Sequence, residues 1–162
     1  MTIKASFSPI AAPNARVLIL GSLPGERSLA ERRYYAHPQN QFWALLSPVV
    51  GRDLKALQYE ERLAALQASR VALWDVVATA RRTGSSDATI RDAAANDLPA
   101  LLDLLPELRA VAFNGGKALA IGRPMIAGRG LAVIALPSSS PLHTVGIAAK
   151  QPAWDAIRGF LR

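Results

Sequence analysis

The residues best suited to chemistry lie in one stretch, 21–43. Gly21-Ser22-Leu23-Pro24-Gly25 follows an apolar run at 17–20. Its glycines and proline force a tight turn, and backbone N–H groups removed from a strand ladder in this way are free to bind an oxygen. Further along, Tyr34-Tyr35-Ala36-His37-Pro38-Gln39-Asn40-Gln41-Phe42-Trp43 gathers aromatic rings, neutral amides and an imidazole ahead of a helix. Such a set suits a planar heterocycle, with a ring face to stack on and amide or backbone groups to read the edge. An amide such as Asn40 holds a water without titrating. Asn is also a favoured helix cap, and position 40 lies just before the helical run at 42–44. Tyr35, Phe42 and Trp43 are each as well suited to a core as to a stacking platform. His37, before a proline, reads as a donor to a base or phosphate, or as a turn-stabilising group.

The elements that must position these residues follow from the pattern. Residues 17–20 read as a buried strand, and a helix starts near residue 28. Helices are expected at 42–50, stopped by Gly51, and at 59–68. A second strand spans 71–76, followed by a polar loop at 78–88 with turn signals at 84–87. Further on come a helix at 96–105, a strand at 108–113, a helix beginning at 117–121, a strand at 131–136, a Ser/Pro loop at 137–144 and a helix at 151–161. Strands alternating with helices predict a three-layer α/β/α sandwich with a mainly parallel sheet of about four strands. In such sheets ligands sit beyond the carboxyl ends of the strands. That rule selects four loops: 21–25, 75–86, 114–117 and 137–143.

A chain of 162 residues, 51% hydrophobic and 19% charged, suits one domain over 1–162 with a substantial core. No apolar run reaches the ~18 residues of a membrane span, and residues 1–9 lack the apolar stretch of a signal peptide, so a cytoplasmic protein is expected. With no cysteine and only two histidines, neither a disulfide nor a metal site is expected. The net charge of +7 points to nucleic acid or another anionic partner. Its arginine bias is equally what a GC-rich genome would encode. Among the selected loops, Arg81, Arg82 and Lys117 are candidates for phosphate contacts. Ser138, Ser139 and Ser140 form either a phosphate-binding loop or an ordinary Ser/Pro turn. Asp75, at a strand end, positions a water or a pocket side chain, or caps the next loop.

GSLPG at 21–25 followed by YYAHPQNQFW at 34–43 resembles the first motif region of the uracil-DNA glycosylase superfamily, near the mismatch-specific uracil and thymine glycosylases. Residues 72–77, 84–87, 113–117 and 136–141 fall where that branch has its strand-end loops, so the resemblance covers roughly residues 17–154. One departure redirects it. The mismatch-specific enzymes carry a catalytic asparagine within the turn, where this chain has Leu23, and an apolar side chain cannot orient water. GSLPG with an asparagine in HPxN instead resembles the hypoxanthine-DNA glycosylase branch, in which the later asparagine is essential.

The resemblance implies a uracil-DNA glycosylase-like fold and a monofunctional DNA glycosylase of base-excision repair. Such an enzyme hydrolyses the N-glycosidic bond of a flipped deaminated base, here hypoxanthine. It implies Asn40 as the catalytic residue and Tyr35 as the stacking aromatic; the turn at Gly21, Ser22 and Leu23, through its backbone N–H groups, and Asp75, by the strand-end rule, are expected around the base. Leu142 or His143 would wedge into the duplex, as the superfamily's last motif does. No cofactor is expected. The expected partner is DNA containing a deaminated base, bound by a monomer without membrane or metal. Alternatives are a glycosylase for uracil or mismatched bases, and a non-catalytic nucleic-acid-binding α/β domain. A dinucleotide-binding domain fits less well, since 21–25 lacks the GxGxxG spacing.

Overall fold

The computed structural model describes residues 2–162; Met1, at the head of the expected domain, lies outside the described residues, as does the side chain of Thr2. Four strands, β2 (Val17–Gly21), β3 (Val71–Asp75), β6 (Ala110–Asn114) and β7 (Ala132–Leu136), form a parallel sheet in the order β3-β2-β6-β7. Side chains of a strand alternate between faces, so a sheet covered on both sides needs continuous apolar strands. Strand β2 meets that requirement. Val17 and Ile19 enter one core, with Phe42, Leu46, Leu66 and Trp154 from helices α2 (Phe42–Val50), α3 (Tyr59–Ala68) and α6 (Ile147–Asp155). Leu18 and Leu20 enter the other, with Leu98, Leu101 and Ala118 from α4 (Leu98–Asp103) and α5 (Gly116–Gly122). The three-layer α/β/α sandwich expected from the sequence is therefore the observed architecture.

The chain runs from β2 to β3 on one side and then returns to β6 on the other side of β2. This reversal opens a crevice at the carboxyl ends of β2 and β6, the usual ligand position in a sheet of this kind.

A second, antiparallel sheet of three strands takes up residues 78–82 of the polar loop expected at 78–88 as its middle strand, and 83–88 remain turn or 3-10 helix. It is built from β1 (Thr2–Ala5), β4 (Val77–Arg82) and β5 (Arg91–Ala95). Strand β4 buries Val77, Ala80 and Arg82, with register irregularities against β5 on either side of Thr79. An arginine at an inward position and an irregular register hide the period-2 signal, and β5 is exposed throughout and carries none. Helix starts also differ, the first helix beginning at Glu26 where residue 28 is expected. Asp97 accepts the N–H of Ala100 and sets the beginning of α4 at Leu98, two residues later than expected. Helix α6 begins at Ile147, upstream of the expected 151, and carries Pro152 inside it. A proline read as a first-turn residue delays the apparent start.

Candidate active site

The carboxyl ends of all four parallel strands, marked by Gly21, Asp75, Asn114 and Leu136, line one cavity of about 690 Å³. A single nucleobase fits a space of that order. Ser22, Leu23, Tyr35, Asn40, Lys117, Ser138, Ser139, Ser140, Leu142 and His143 line it too, so the structure brings together every expected site residue except Arg81 and Arg82.

The turn at 21–25 is held from behind. Val76 N–H donates to the Gly21 carbonyl at 2.8 Å and Val77 N–H to the Ser22 carbonyl at 3.0 Å. Trans peptide planarity turns the following N–H groups, those of Ser22 and Leu23, the opposite way. Neither meets a protein acceptor among the described residues. The next two carbonyls, of Leu23 and Pro24, accept from the Arg82 guanidinium at 3.2 and 2.6 Å, and its Nε donates to Gly84 O at 2.8 Å. Arg82 is 1% exposed, which corrects its assignment to phosphate contacts: it is an internal brace for the turn. Sequence alone gives no sign of this, because inward arginines are rare. Arg81 points the other way from the same strand, pairs with Asp92 at 3.5 Å and does not line the cavity.

Gly21 is required by close approach. A Cβ there would lie 2.6 Å from Asp75 Oδ1 and 3.1 Å from the Tyr35 hydroxyl. The side chain of Leu23 joins the core, 6% exposed.

Tyr35 adopts φ of 54°, a left-handed conformation that non-glycine residues rarely take and that recurs at functional sites. Its neighbours over-determine it. Its ring lies flat on Phe42, with centroids 3.8 Å apart and planes 8° apart. Its carbonyl accepts from Trp43 Nε1 at 3.2 Å, and the next N–H, of Ala36, donates to Ser28 Oγ at 3.0 Å. Phe42 and Trp43, at 0% and 4% exposure, are core residues that support this wall.

Asn40 lies one residue ahead of Gln41, the N-cap of α2, which has no side-chain cap, so the capping expectation is not met; its amide instead closes an Asx turn and lines the cavity. Its Oδ1 accepts the N–H of Phe42 at 2.9 Å at the start of α2, and its own N–H donates to His37 O at 2.9 Å. This turn bond fixes the amide plane and identifies the oxygen, leaving Nδ2 without a protein partner among the described residues. His37 Nδ1 accepts from Gln39 N–H at 3.0 Å, a turn-stabilising bond on the cavity rim.

Asp75 is 3% exposed, and its Oδ2 is buried with no hydrogen-bond partner among the described residues. Burial pushes its carboxyl up to about 7, reinforced by Asp87 and opposed by Arg82. Asp87, not among the expected site residues, accepts from Ser22 Oγ at 2.7 Å. Burial raises its carboxyl as well, against the Ser22 bond and the charges of Arg82 and Lys117. In the sequence it reads only as part of a turn. Tyr35 is pushed up by burial and then by Asp75, so it remains a neutral phenol.

Asn114, also unexpected, latches the last loop to β6. Its Oδ1 accepts from Ser139 N–H and its Nδ2 donates to Ser139 Oγ, both at 2.9 Å. Ser139 O accepts from Gln41 N–H at 2.9 Å. Ser139 is 1% exposed, with its Oγ and N–H bound to Asn114 and its carbonyl to Gln41, and this burial corrects its expected phosphate role. Ser138 and Ser140 are half-buried on the cavity wall: their Oγ atoms accept the N–H groups of Ser140 and Leu142, each at 3.1 Å, and their hydroxyl hydrogens remain available. Helix α6 supports the same loop from below. Lys150, 1% exposed, donates to Ser138 O at 2.6 Å and His143 O at 3.1 Å, and Trp154 Nε1 to Pro137 O at 3.1 Å. Burial lowers the Lys150 ammonium. Its position four residues before Trp154 places both donors on one helix face, though in sequence it reads as a solvated charge. Leu142, at 62% exposure, stands at the rim.

Among the described residues no group of three His, Asp or Glu side chains could hold a metal ion, and no helix is long and apolar enough to cross a membrane.

The family model for the uracil DNA glycosylase superfamily matches residues 8–158. A curated hypoxanthine DNA glycosylase of Methanosarcina barkeri is 37% identical over 151 residues, 93% of this chain and 95% of that protein. A second, from Methanosarcina acetivorans, is 37% identical over 155 residues, 96% of this chain and 98% of that protein. The solution NMR structure of a Methanosarcina acetivorans protein, provisionally described as a uracil DNA glycosylase, superposes with a TM-score of 0.90 at 36% identity, covering 99% of this chain and 100% of that one. The chain thus belongs to the uracil DNA glycosylase superfamily.

Proposed function

We propose that this protein is a monofunctional DNA glycosylase that removes hypoxanthine flipped out of DNA, acting as a cytoplasmic monomer. The observation that carries this reading is the Asn40 amide, fixed at the cavity wall with Nδ2 free, in a chain 37% identical to two hypoxanthine DNA glycosylases. A uracil preference is disfavoured by Leu23, whose side chain is packed into the core where the mismatch-specific enzymes have an asparagine.

Breaking the bond between base and deoxyribose passes through an oxocarbenium-like sugar, so a water is needed on one side and stabilisation of the departing base on the other. Asn40 holds that water with Nδ2 and the second lone pair of Oδ1. The N–H groups of Ser22 and Leu23 take the charge that develops on the base carbonyl. Hypoxanthine has an oxygen where adenine has an amino group, and a two-point edge contact of this kind discriminates by about 1–3 kcal/mol. Phe42 covers one face of Tyr35, so the base stacks against what remains of that ring. Lys117 and the hydroxyls of Ser138 and Ser140 bind the flanking phosphates, and Leu142 or His143 fills the gap left in the duplex.

The test is base release from duplexes carrying hypoxanthine, uracil, xanthine or a G·T mismatch, read as strand nicking after alkali, with wild type and Asn40→Ala compared. Hypoxanthine release that falls at least about 100-fold in the variant is expected. Equal release by both proteins would remove Asn40 from the mechanism.

A further inference from the structure

We propose that Asp75 is the general acid of the reaction and delivers its proton to N7 of the departing purine. This inference rests on the reading of the cavity as a hypoxanthine site.

The geometry carries it. Asp75 ends β3 beside Gly21 and Tyr35: its Oδ1 and the Tyr35 hydroxyl flank the position a Gly21 Cβ would occupy. Its Oδ2 is buried and unpartnered, although the residue lines the cavity. Buried polar groups in folded proteins nearly always have partners; no hydrogen bond reaches either oxygen of the Asp75 carboxyl among the described residues and Oδ2 is shut off from solvent, so a carboxyl that lines this cavity awaits its partner in the complex. Alanine or leucine would cost less if the position served packing alone.

The surroundings decide which protonation state it brings. Asp87, from the turn after β4, and Glu26, from helix α1 (Glu26–Glu31), supply negative charge. Arg27 on the same helix, Arg82 on β4 and Lys117 on α5 supply positive charge, and the Tyr34 and Tyr35 phenols with the His37 and His143 rings complete the titratable set. Burial outweighs the Arg82 charge, so the carboxyl holds a proton up to about pH 7. An acid of that strength is matched to proton transfer near neutrality.

The N9–C1′ bond breaks and its electron pair passes into the purine ring. N7 takes the proton from the Asp75 carboxyl, so the base leaves as neutral hypoxanthine. The water held by Asn40 forms the new O–C1′ bond, and the proton it sheds restores the acid after release. A pyrimidine has no N7 and gains nothing from this group, so Asp75 favours purines.

The experiment measures single-turnover base release from pH 5 to 9 for wild type and Asp75→Asn. The substrates are a hypoxanthine duplex and the matching 7-deazahypoxanthine duplex, which lacks the acceptor nitrogen. On hypoxanthine at pH 6 the variant is expected to be at least about 100-fold slower, the usual scale of general acid catalysis. The wild-type rate falls about tenfold per pH unit above about 7, and that limb is absent in the variant. On 7-deazahypoxanthine the two proteins react at the same rate. A wild-type rate that rises through the same range, or an equal loss in the variant on both substrates, overturns the proposal. The 7-deaza comparison with wild type alone needs no variant to fold: undiminished release of that base also overturns it. If wild type releases hypoxanthine at no pH, the functional reading fails; if it does so with no N7 or Asp75 dependence, only the acid role fails.

Discussion

Replacing Asp75 with asparagine should stabilise the protein above neutral pH and leave its stability unchanged in acid. The folded carboxyl sits near pH 7 against 3.8 in the unfolded chain, a displacement of about three pH units, with burial the largest cause and Asp87 next. At about 1.4 kcal/mol per unit, carrying this carboxylate charged costs about 4 kcal/mol once the pH exceeds 7. The sign is set by proton uptake: the folded state binds the proton more tightly, so wild-type stability is highest below the unfolded value and declines between about pH 4 and 7. Asparagine has nearly the same shape and no charge. The difference in urea unfolding free energy, variant minus wild type, should be near zero at pH 4 and rise to as much as about 4 kcal/mol at pH 8. Asp87 titrates in both proteins, and the subtraction removes most of its contribution. A difference that is flat with pH, or that favours wild type at pH 8, would refute the account of a buried charge retained at a cost. A carboxyl that destabilises the fold at working pH is a group kept for chemistry.

Further outcomes follow from the braces around the cavity. Arg82→Met strands three carbonyls of the turn region, and should cost about 3 kcal/mol in chemical denaturation and lower base release at every pH. Gly21→Ala drives a methyl to 2.6 Å from Asp75 Oδ1 and should abolish base release with the protein still folded by circular dichroism. Lys150→Met frees the Ser138 and His143 carbonyls; affinity for the lesion duplex in fluorescence anisotropy should fall about tenfold, with the pH profile of release unchanged. Leu142→Ala should weaken binding to lesion duplex and leave binding to a single strand as it was, because only a duplex has a gap to fill.

The sequence pattern reveals what depends on apolar periodicity. Helices α2 and α3 lie at 42–50 and 59–68 as their patterns require, and the continuous apolar strands identify the parallel sheet and hence the four loops that meet at the cavity. It does not reveal what depends on polar side chains turned inward. The antiparallel sheet is missed because β4 points Arg82 into the interior and β5 has no buried face. Ser139 and Lys150 look like surface residues until Asn114 and the loop carbonyls are brought to them by tertiary contacts. For Asn40 the sequence poses cap and cavity group as alternatives; the cap position falls to Gln41, and the Asn40 amide closes the turn before it while lining the cavity.

The most direct measurement of the central claim is alkali-revealed nicking of four otherwise identical duplexes carrying hypoxanthine, uracil, xanthine or a G·T mismatch. The account predicts nicking of the hypoxanthine duplex well above the uracil one, lost in Asn40→Ala. Nicking of uracil in preference to hypoxanthine, or of none of the four, would contradict it.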